Sequence, residues 1–319
     1  MGKQRGLATA CRVVVSGLML GYLSWRIKDA GLDLPDWTFS TFAWITGAAL
    51  FTLLGIVLSA LRWQAVLHVL GQRSGIRRLL SYYLAGQFVA NVLPTTIGGD
   101  VLRVSRLSRE TGESPTSFAS VVLERLTGWL VLPVMTFIGL ALNPGLRHLG
   151  RATQIAVALA GCTLVMLTLV IVGVASHRVK GELEDLTGWR RFLAAVRIGI
   201  DQFREHPGTA LNVVAVGFLY QTVLVLAAVM AARAVGIPAA GPTALLAFFP
   251  AVLIGQALPI SISGLGVREG LFVLFLQPLD VPSEQAIALG LLLYVLNLVV
   301  SLLGAPAFAV GNRSRRTIA

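Results

Sequence analysis

Charged residues are scarce in this sequence, and their scarcity excludes most soluble folds. They make up 13% of the 319 residues, whereas hydrophobic residues make up 55%. A soluble domain carries about a quarter charged residues, because its surface has to face water. A chain of this length with so little charge cannot cover a soluble core. We therefore interpret the sequence as an all-α polytopic membrane protein with a single integral membrane domain over residues 1–319.

Cysteines and acidic residues are also few, and each shortage excludes a class of function. The two cysteines, Cys11 and Cys162, fall within apolar runs and are too few for a metal site. The 15 acidic residues leave a net charge of +11, but the basic residues lie between apolar runs. That distribution is typical of membrane loops, so we expect no nucleic-acid partner. The sequence has no phosphate-binding loop, metal-ligand cluster or Ser/His/Asp set, so no cofactor, metal or catalytic residue is expected.

Long apolar runs are abundant. A helix needs about 20 apolar residues to cross the hydrocarbon core of a bilayer. Six runs qualify: 7–25, 38–61, 117–142, 152–176, 208–232 and 285–310. Two further stretches, 79–97 and 243–263, are interrupted at Pro94 and Pro259, and a helical pattern too short to span follows each. We predict about six full transmembrane helices plus two broken re-entrant hairpins; whether 243–263 is re-entrant or fully spanning stays open.

The two interruptions share a sequence pattern. Residues 93–103 and 258–268 both fit L-P-x-x-I-x-G-x-x-x-R, and the offset of 165 residues brings the flanking spans into register. With a cytoplasmic N-terminus, 19 Lys and Arg residues lie inside and five outside, which favours both termini being cytoplasmic. In that topology the two halves have opposite orientations. We predict an inverted repeat, with a first copy over about 38–142 and a second over about 208–310.

A basic amphipathic helix is predicted between the halves, over 182–206. Apolar residues at spacings of three and four form one face, and arginines lie off that face. The apolar positions are Leu186, Trp189, Leu193, Val196, Ile200 and Phe203. Such a helix lies on the cytoplasmic leaflet, where anionic lipids attract it. Packing against the protein's own loops is an equally good interpretation.

The broken helices are candidate anion sites. A break exposes unpaired N–H groups at the start of the second helix, where the dipole adds partial positive charge and phosphate binds readily. Arg103 and Arg268 follow the two breaks and would each add a forked donor. Alternatively, Arg103 is a positive-inside loop charge, and Glu124 with Arg125 is a snorkelling pair. The predicted substrate-binding residues are Gln87, Asn91, Gly98, Gly99, Asp100, Arg103, Glu124, Arg125, Gln256, Ser261, Ser263, Gly264, Gly266, Arg268 and Glu269.

The residues around both breaks also resemble a known family. Residues 86–103 read G-Q-F-x-x-N-x-L-P-x-x-x-G-G-D-x-x-R, and Glu124-Arg125 follow. This pattern is similar to the signature of the lysylphosphatidylglycerol synthase transmembrane (flippase-like) family. The sequence G-x-G-V-R-E over 264–269 matches the second motif of that family, and Arg62-Trp63 fits as well. The resemblance covers nearly the whole chain.

The resemblance implies a lipid flippase or translocase of the bacterial cytoplasmic (inner) membrane, with no enzymatic activity of its own. Its cargo would be a membrane phospholipid, an aminoacyl-phospholipid or a polyprenyl-linked lipid such as a lipid-linked sugar. The family includes the membrane half of the bacterial multiple peptide resistance factor, but this chain ends nine residues after its last predicted span, so we expect no synthase domain. The alternatives are an intramembrane transferase on a lipid-linked substrate, with Asp100, Glu124 or Glu269 as base, or a scaffold for a separate lipid-modifying enzyme. A homo-oligomer also stays open.

The predicted topology can be tested by cysteine labelling. In a variant without Cys11 and Cys162, single cysteines near residues 145 and 240 should react with an impermeant maleimide added to intact cells. One near residue 195 should react only after the membrane is permeabilised. Labelling of the last position in intact cells would contradict the topology.

Overall fold

The computed structural model describes residues 21, 38–92, 98–176, 188–237, 241–258, 261 and 263–313. These ranges form helices and short connections and contain no strand. The helices are α1 (Phe39–Val69), α2 (Ile76–Val92), α3 (Gly98–Thr111), α4 (Ser114–Leu142), α5 (Arg151–Ser176), α6 (Gly188–Glu205), α7 (Pro207–Ala234), α8 (Pro242–Gln256), α9 (Val267–Leu276), α10 (Ser283–Leu302) and α11 (Gly304–Arg313), with short 3₁₀ turns at Pro144–His148 and Gln277–Leu279. The predicted span 7–25, apart from Gly21, and both interrupting prolines lie outside the described residues.

Within the described ranges, five helices are long and apolar enough to cross a membrane: α1, α4, α5, α7 and α10. They confirm the predicted spans over 38–61, 117–142, 152–176 and 208–232. The first of these extends further than predicted, because α1 continues through Arg62 to Val69. The chain is therefore an all-α polytopic membrane protein.

The predicted span over 285–310 is confirmed as α10, but it ends earlier than predicted. Helix α10 ends at Leu302, and α11 begins at Gly304. The bend lets α11 pack against α2: a Cβ at Gly304 would collide with the backbone of Leu84, and the rings of Phe88 and Phe308 lie 5.9 Å apart. The apolar sequence alone is compatible with one long helix or with two shorter helices. The packing of α11 on α2 favours two helices.

Two pairs of helices follow the predicted hairpins. Helix α2 packs on α3, and α8 packs on α9. Helix α8 has 15 residues, which is too short to cross the hydrocarbon core without help. Between α8 and α9 the backbone turns sharply, with Gly264 and Gly266 at φ +74° and +83°, a region that glycine adopts without a steric cost. Whether the pairs re-enter the membrane stays a prediction.

The first long helices of the two halves pack against each other. Gly47 of α1 faces Met230 of α7, Gly55 faces Leu224, and Arg62 faces Gly217. Residue numbers rise along α1 as they fall along α7, so the two helices are antiparallel. An inverted repeat requires opposite directions for equivalent helices. The repeat itself stays a prediction.

Helix α6 is the amphipathic helix, and its apolar face is largely covered by the protein. Ala195 and Val196 are buried in a cluster with Ala119 of α4 and Val174 of α5. The alternative of packing within the protein is therefore the one seen, although against helices rather than loops. Trp189, also on the predicted apolar face, is 63% exposed. Residues 182–187 lie outside the described residues.

Substitution of Gly99 tests the close packing of α2 and α3. A Cβ at Gly99 would collide with the carbonyl oxygen of Gly86, so Gly99→Ala should force the helices apart. We expect a loss of about 1–3 kcal/mol, measured as a lower Tm in detergent. Gly270→Ala is the control, because a Cβ there meets no atom within 4 Å and alanine favours a helix. Equal Tm values for both variants would contradict this packing.

Candidate anion-binding site

A cavity of about 370 Å³ lies among α1, α2, α3, α4, α7, α8 and α10, so both halves of the chain line it. Its volume is within the range of about 300–1,000 Å³ that small-molecule sites occupy. Seven of the predicted binding residues line it: Gln87, Gly99, Asp100, Arg103, Glu124, Arg125 and Gln256. Residues on both sides of the first predicted break therefore line one cavity. Their role in binding stays a prediction.

As far as the structure describes the chain, the cavity lining contains three arginines and two carboxylates. Arg62 and Arg103 both donate to Glu124, with two bonds of 3.0 and 3.1 Å from Arg103. Arg125 pairs with Asp100, which also lies 3.7 Å from Arg103. Each carboxylate therefore contacts two arginines, and one positive charge remains in excess. The first turn of α3 also faces the cavity and adds partial positive charge from its helix dipole.

Aromatic rings hold the two buried arginines in place. The Arg103 guanidinium lies 4.2 Å from the centre of the Trp63 ring and 4.3 Å from that of Tyr83. Arg62 lies 5.0 Å from the ring of Tyr220. Cation–π contacts of this kind stabilise a guanidinium that is away from water. They fix the direction of the arginine donors before any ligand binds.

Some of these donors are left without a partner. Arg62 and Arg103 are only 4% and 5% exposed. Three of their nitrogen donors have no hydrogen-bond acceptor among the described residues: Nε and Nη1 of Arg62, and Nε of Arg103. Buried donors without partners are rare, because each costs the free energy of its lost hydration. An anion in the cavity would supply the missing acceptors.

Arg125 provides a contrast, because its side chain is 52% exposed. The cavity thus has an arginine at an accessible position and two at depth. Arg103 is the sixth residue of α3 and lies in its second turn, not at its N-terminus. The interpretation of Arg103 as a loop charge does not fit its burial.

The predicted residues around the second break form a separate group. Arg268 donates to Glu269 at 2.7 and 3.0 Å and lies 5.1 Å from the ring of Tyr294. The other oxygen of Glu269 accepts from the N–H of Gly266 at 2.6 Å. The predicted residues that do not line the cavity are Asn91, Gly98, Ser261, Ser263, Gly264, Gly266, Arg268 and Glu269. Arg103 lines the cavity beside Arg62, whereas Arg268 is paired with Glu269 outside it. A binding role for the residues around the second break stays a prediction.

Several cavity residues are absent from the predicted set. Arg62 follows the predicted end of its span by one residue, so it resembles a loop charge, although the Arg62-Trp63 pair belongs to the family pattern. Tyr220 and Gln221 lie within an uncharged span and carry little sequence evidence of a role. Asn297 lines the cavity and accepts from Asn91 at 3.2 Å.

The fold and the cavity define a multi-pass membrane protein with an arginine-lined chamber among its helices. A model of the family described as "Lysylphosphatidylglycerol synthase TM region" matches residues 10–304. The chain belongs to this family and has a membrane lipid-related role. No curated protein matches the chain.

The importance of Glu124 can be measured by thermal unfolding in detergent. Glu124→Gln leaves Arg62 and Arg103 buried without their counter-charge, so we expect a loss of about 3–5 kcal/mol. Glu284→Gln in the first turn of α10 is the matched control and should cost no more than about 1 kcal/mol. Similar shifts in Tm for the two variants would show that the charge network does not support the fold.

Proposed function

We propose that this protein is a lipid translocase of the bacterial cytoplasmic membrane that moves a phosphate-bearing head group from one leaflet to the other. The observation that carries the proposal is the cavity whose described lining residues include three arginines and only two carboxylates. Membership of a lipid-related membrane family supports the same conclusion.

The cavity addresses the physical obstacle to lipid transfer. A charged head group crosses hydrocarbon slowly, because an isolated ion loses its hydration there at a cost of tens of kcal/mol. The free donors of Arg62 and the exposed guanidinium of Arg125 would replace water around a phosphate. The acyl chains would remain in the bilayer while the head group occupies the cavity.

Alternation between two leaflets fits the arrangement of the halves. The cavity lies where helices of both halves meet, and α1 and α7 run antiparallel beside it. In transporters with inverted repeats, rocking of one half against the other exposes a central site to each side in turn. With both termini cytoplasmic, Glu124 and Arg125 lie toward the cytoplasmic end of α4, so loading would occur from the inner leaflet.

The contacts of the carboxylates favour translocation over transferase chemistry. A general base has to accept a proton from the substrate, so its oxygen has to be within reach of the reacting group. Asp100 and Glu124 each contact two arginines, and these guanidinium groups already occupy the carboxylates. A scaffold for a separate enzyme would not need the unpaired donors of Arg62.

Arg125→Gln tests the role of the excess positive charge. Because Arg125 is half exposed, its loss should spare the fold while removing one charge-assisted contact of about 1.5–3 kcal/mol. We expect transport to slow by about tenfold or more. The measurement is dithionite bleaching of phosphatidylglycerol labelled on its acyl chain, in proteoliposomes. Arg151→Gln, exposed at the start of α5, is the control and should match the wild type. Equal rates in all three proteins would contradict the proposal.

A further inference from the structure

We infer that the head group this cavity takes is an uncharged, hydroxylated group joined through a phosphodiester, and that the cavity disfavours a cationic aminoacyl head group. The inference rests on the proposed function and specifies its substrate class. The family description names a lipid whose lysyl head group is cationic. The inference therefore assigns this chain a different class of head group from the one in the family's name.

The carboxylates of the cavity are all engaged. Among the described residues, Asp100 and Glu124 are the acids in the lining, and both contact two arginines. A lysyl head group would bring an ammonium group that needs an acceptor with negative charge. It would instead lie among three guanidinium groups. The arrangement repels such a ligand and leaves its ammonium group unpaired.

The excess of one positive charge also distinguishes between phosphate esters. A phosphodiester carries one negative charge, which balances the lining. A phosphomonoester carries about 1.5 to 2 negative charges near neutral pH. The additional charge would have no counter-charge among the described residues of the cavity. The balance therefore favours a diester.

Amide side chains elsewhere in the lining match a hydroxylated group. Nε2 of Gln221, a residue only 3% exposed, is a buried donor without a partner among the described residues. Oε1 of Gln256 is a buried acceptor without one. A hydroxyl both donates and accepts, whereas an ammonium group only donates. Hydroxyls of the ligand can therefore satisfy both amides, and an ammonium group cannot.

Two kinds of lipid share this chemistry: phosphatidylglycerol, with a glycerol head group, and a polyprenyl phosphosugar. The first experiment separates them. The protein in nanodiscs of phosphatidylcholine is offered equal amounts of four lipids, and bound lipid is measured by native mass spectrometry. The four are phosphatidylglycerol, a prenyl phosphohexose, lysylphosphatidylglycerol and phosphatidic acid.

We expect one of the first two lipids to be retained about tenfold or more over the last two. The lipid retained identifies the source of the hydroxylated group. Equal or stronger retention of lysylphosphatidylglycerol or phosphatidic acid would overturn the inference and leave the proposed translocase standing. Retention of none of the four above phosphatidylcholine would overturn both.

A charge-introducing variant provides a second test. Gln221→Glu adds a carboxylate to the cavity lining from α7, and Gln256→Glu adds one from α8 if the first variant does not fold. We expect the ratio of lysylphosphatidylglycerol to phosphatidylglycerol bound to rise by about tenfold. Gln277→Glu, at an exposed position, is the control and should leave the ratio unchanged. An unchanged ratio in a folded cavity variant would overturn the inference.

Discussion

Glu124 accepts hydrogen bonds from Arg62 and Arg103 at a place that water barely reaches, and the cavity depends on this sharing. The carboxylate is 2% exposed, so three charged groups are held away from solvent. Burial of an ion costs several kcal/mol even in a relaxed protein, and only good geometry offsets that cost. Because the three residues come from α1, α3 and α4, the network also joins these helices around the site.

Glycines make the buried network sterically feasible. A Cβ at Gly128 would lie 3.1 Å from Nη1 of Arg62, and Gly217 of α7 lies beside the same side chain. On the other side, a Cβ at Gly86 would lie 3.1 Å from Cγ of Arg103. Larger residues would push the guanidinium groups off their aromatic partners. Glycine lowers the stability of a helix, but at these positions it leaves the space that the arginine side chains occupy.

The long helices could be predicted from the sequence because hydrophobic length alone determines a span. The bend between α10 and α11 could not, because it depends on the contact of Gly304 with Leu84, far away along the chain. The inverted repeat was predicted from the motif shared by residues 93–103 and 258–268. Such a repeat requires α1 and α7 to be antiparallel, and the two helices pack in this way.

The cavity residues on both sides of the first break could be predicted because polar residues within an apolar segment are costly unless they have partners or a function. The same argument predicts a role for Arg268, which the structure pairs with its immediate neighbour Glu269 outside the cavity. A pairing of this kind cannot be read from the sequence, because adjacent charged residues need not contact each other. Arg62 was missed because a charge at the end of an apolar run resembles a loop residue. Its role follows only from the continuation of α1 to Val69, which places it opposite Glu124.

The unequal exposure of the arginines has a consequence for the order of events during loading. Arg125 is in contact with solvent, so dissolved ions screen its attraction for a phosphate. Arg62 and Arg103 are buried, so dissolved ions screen them much less. In the proposed translocase, raised ionic strength would therefore slow the capture of a head group by Arg125 more than it would weaken the hold of the two buried arginines. The arrival of a lipid would then depend on salt more strongly than its residence time.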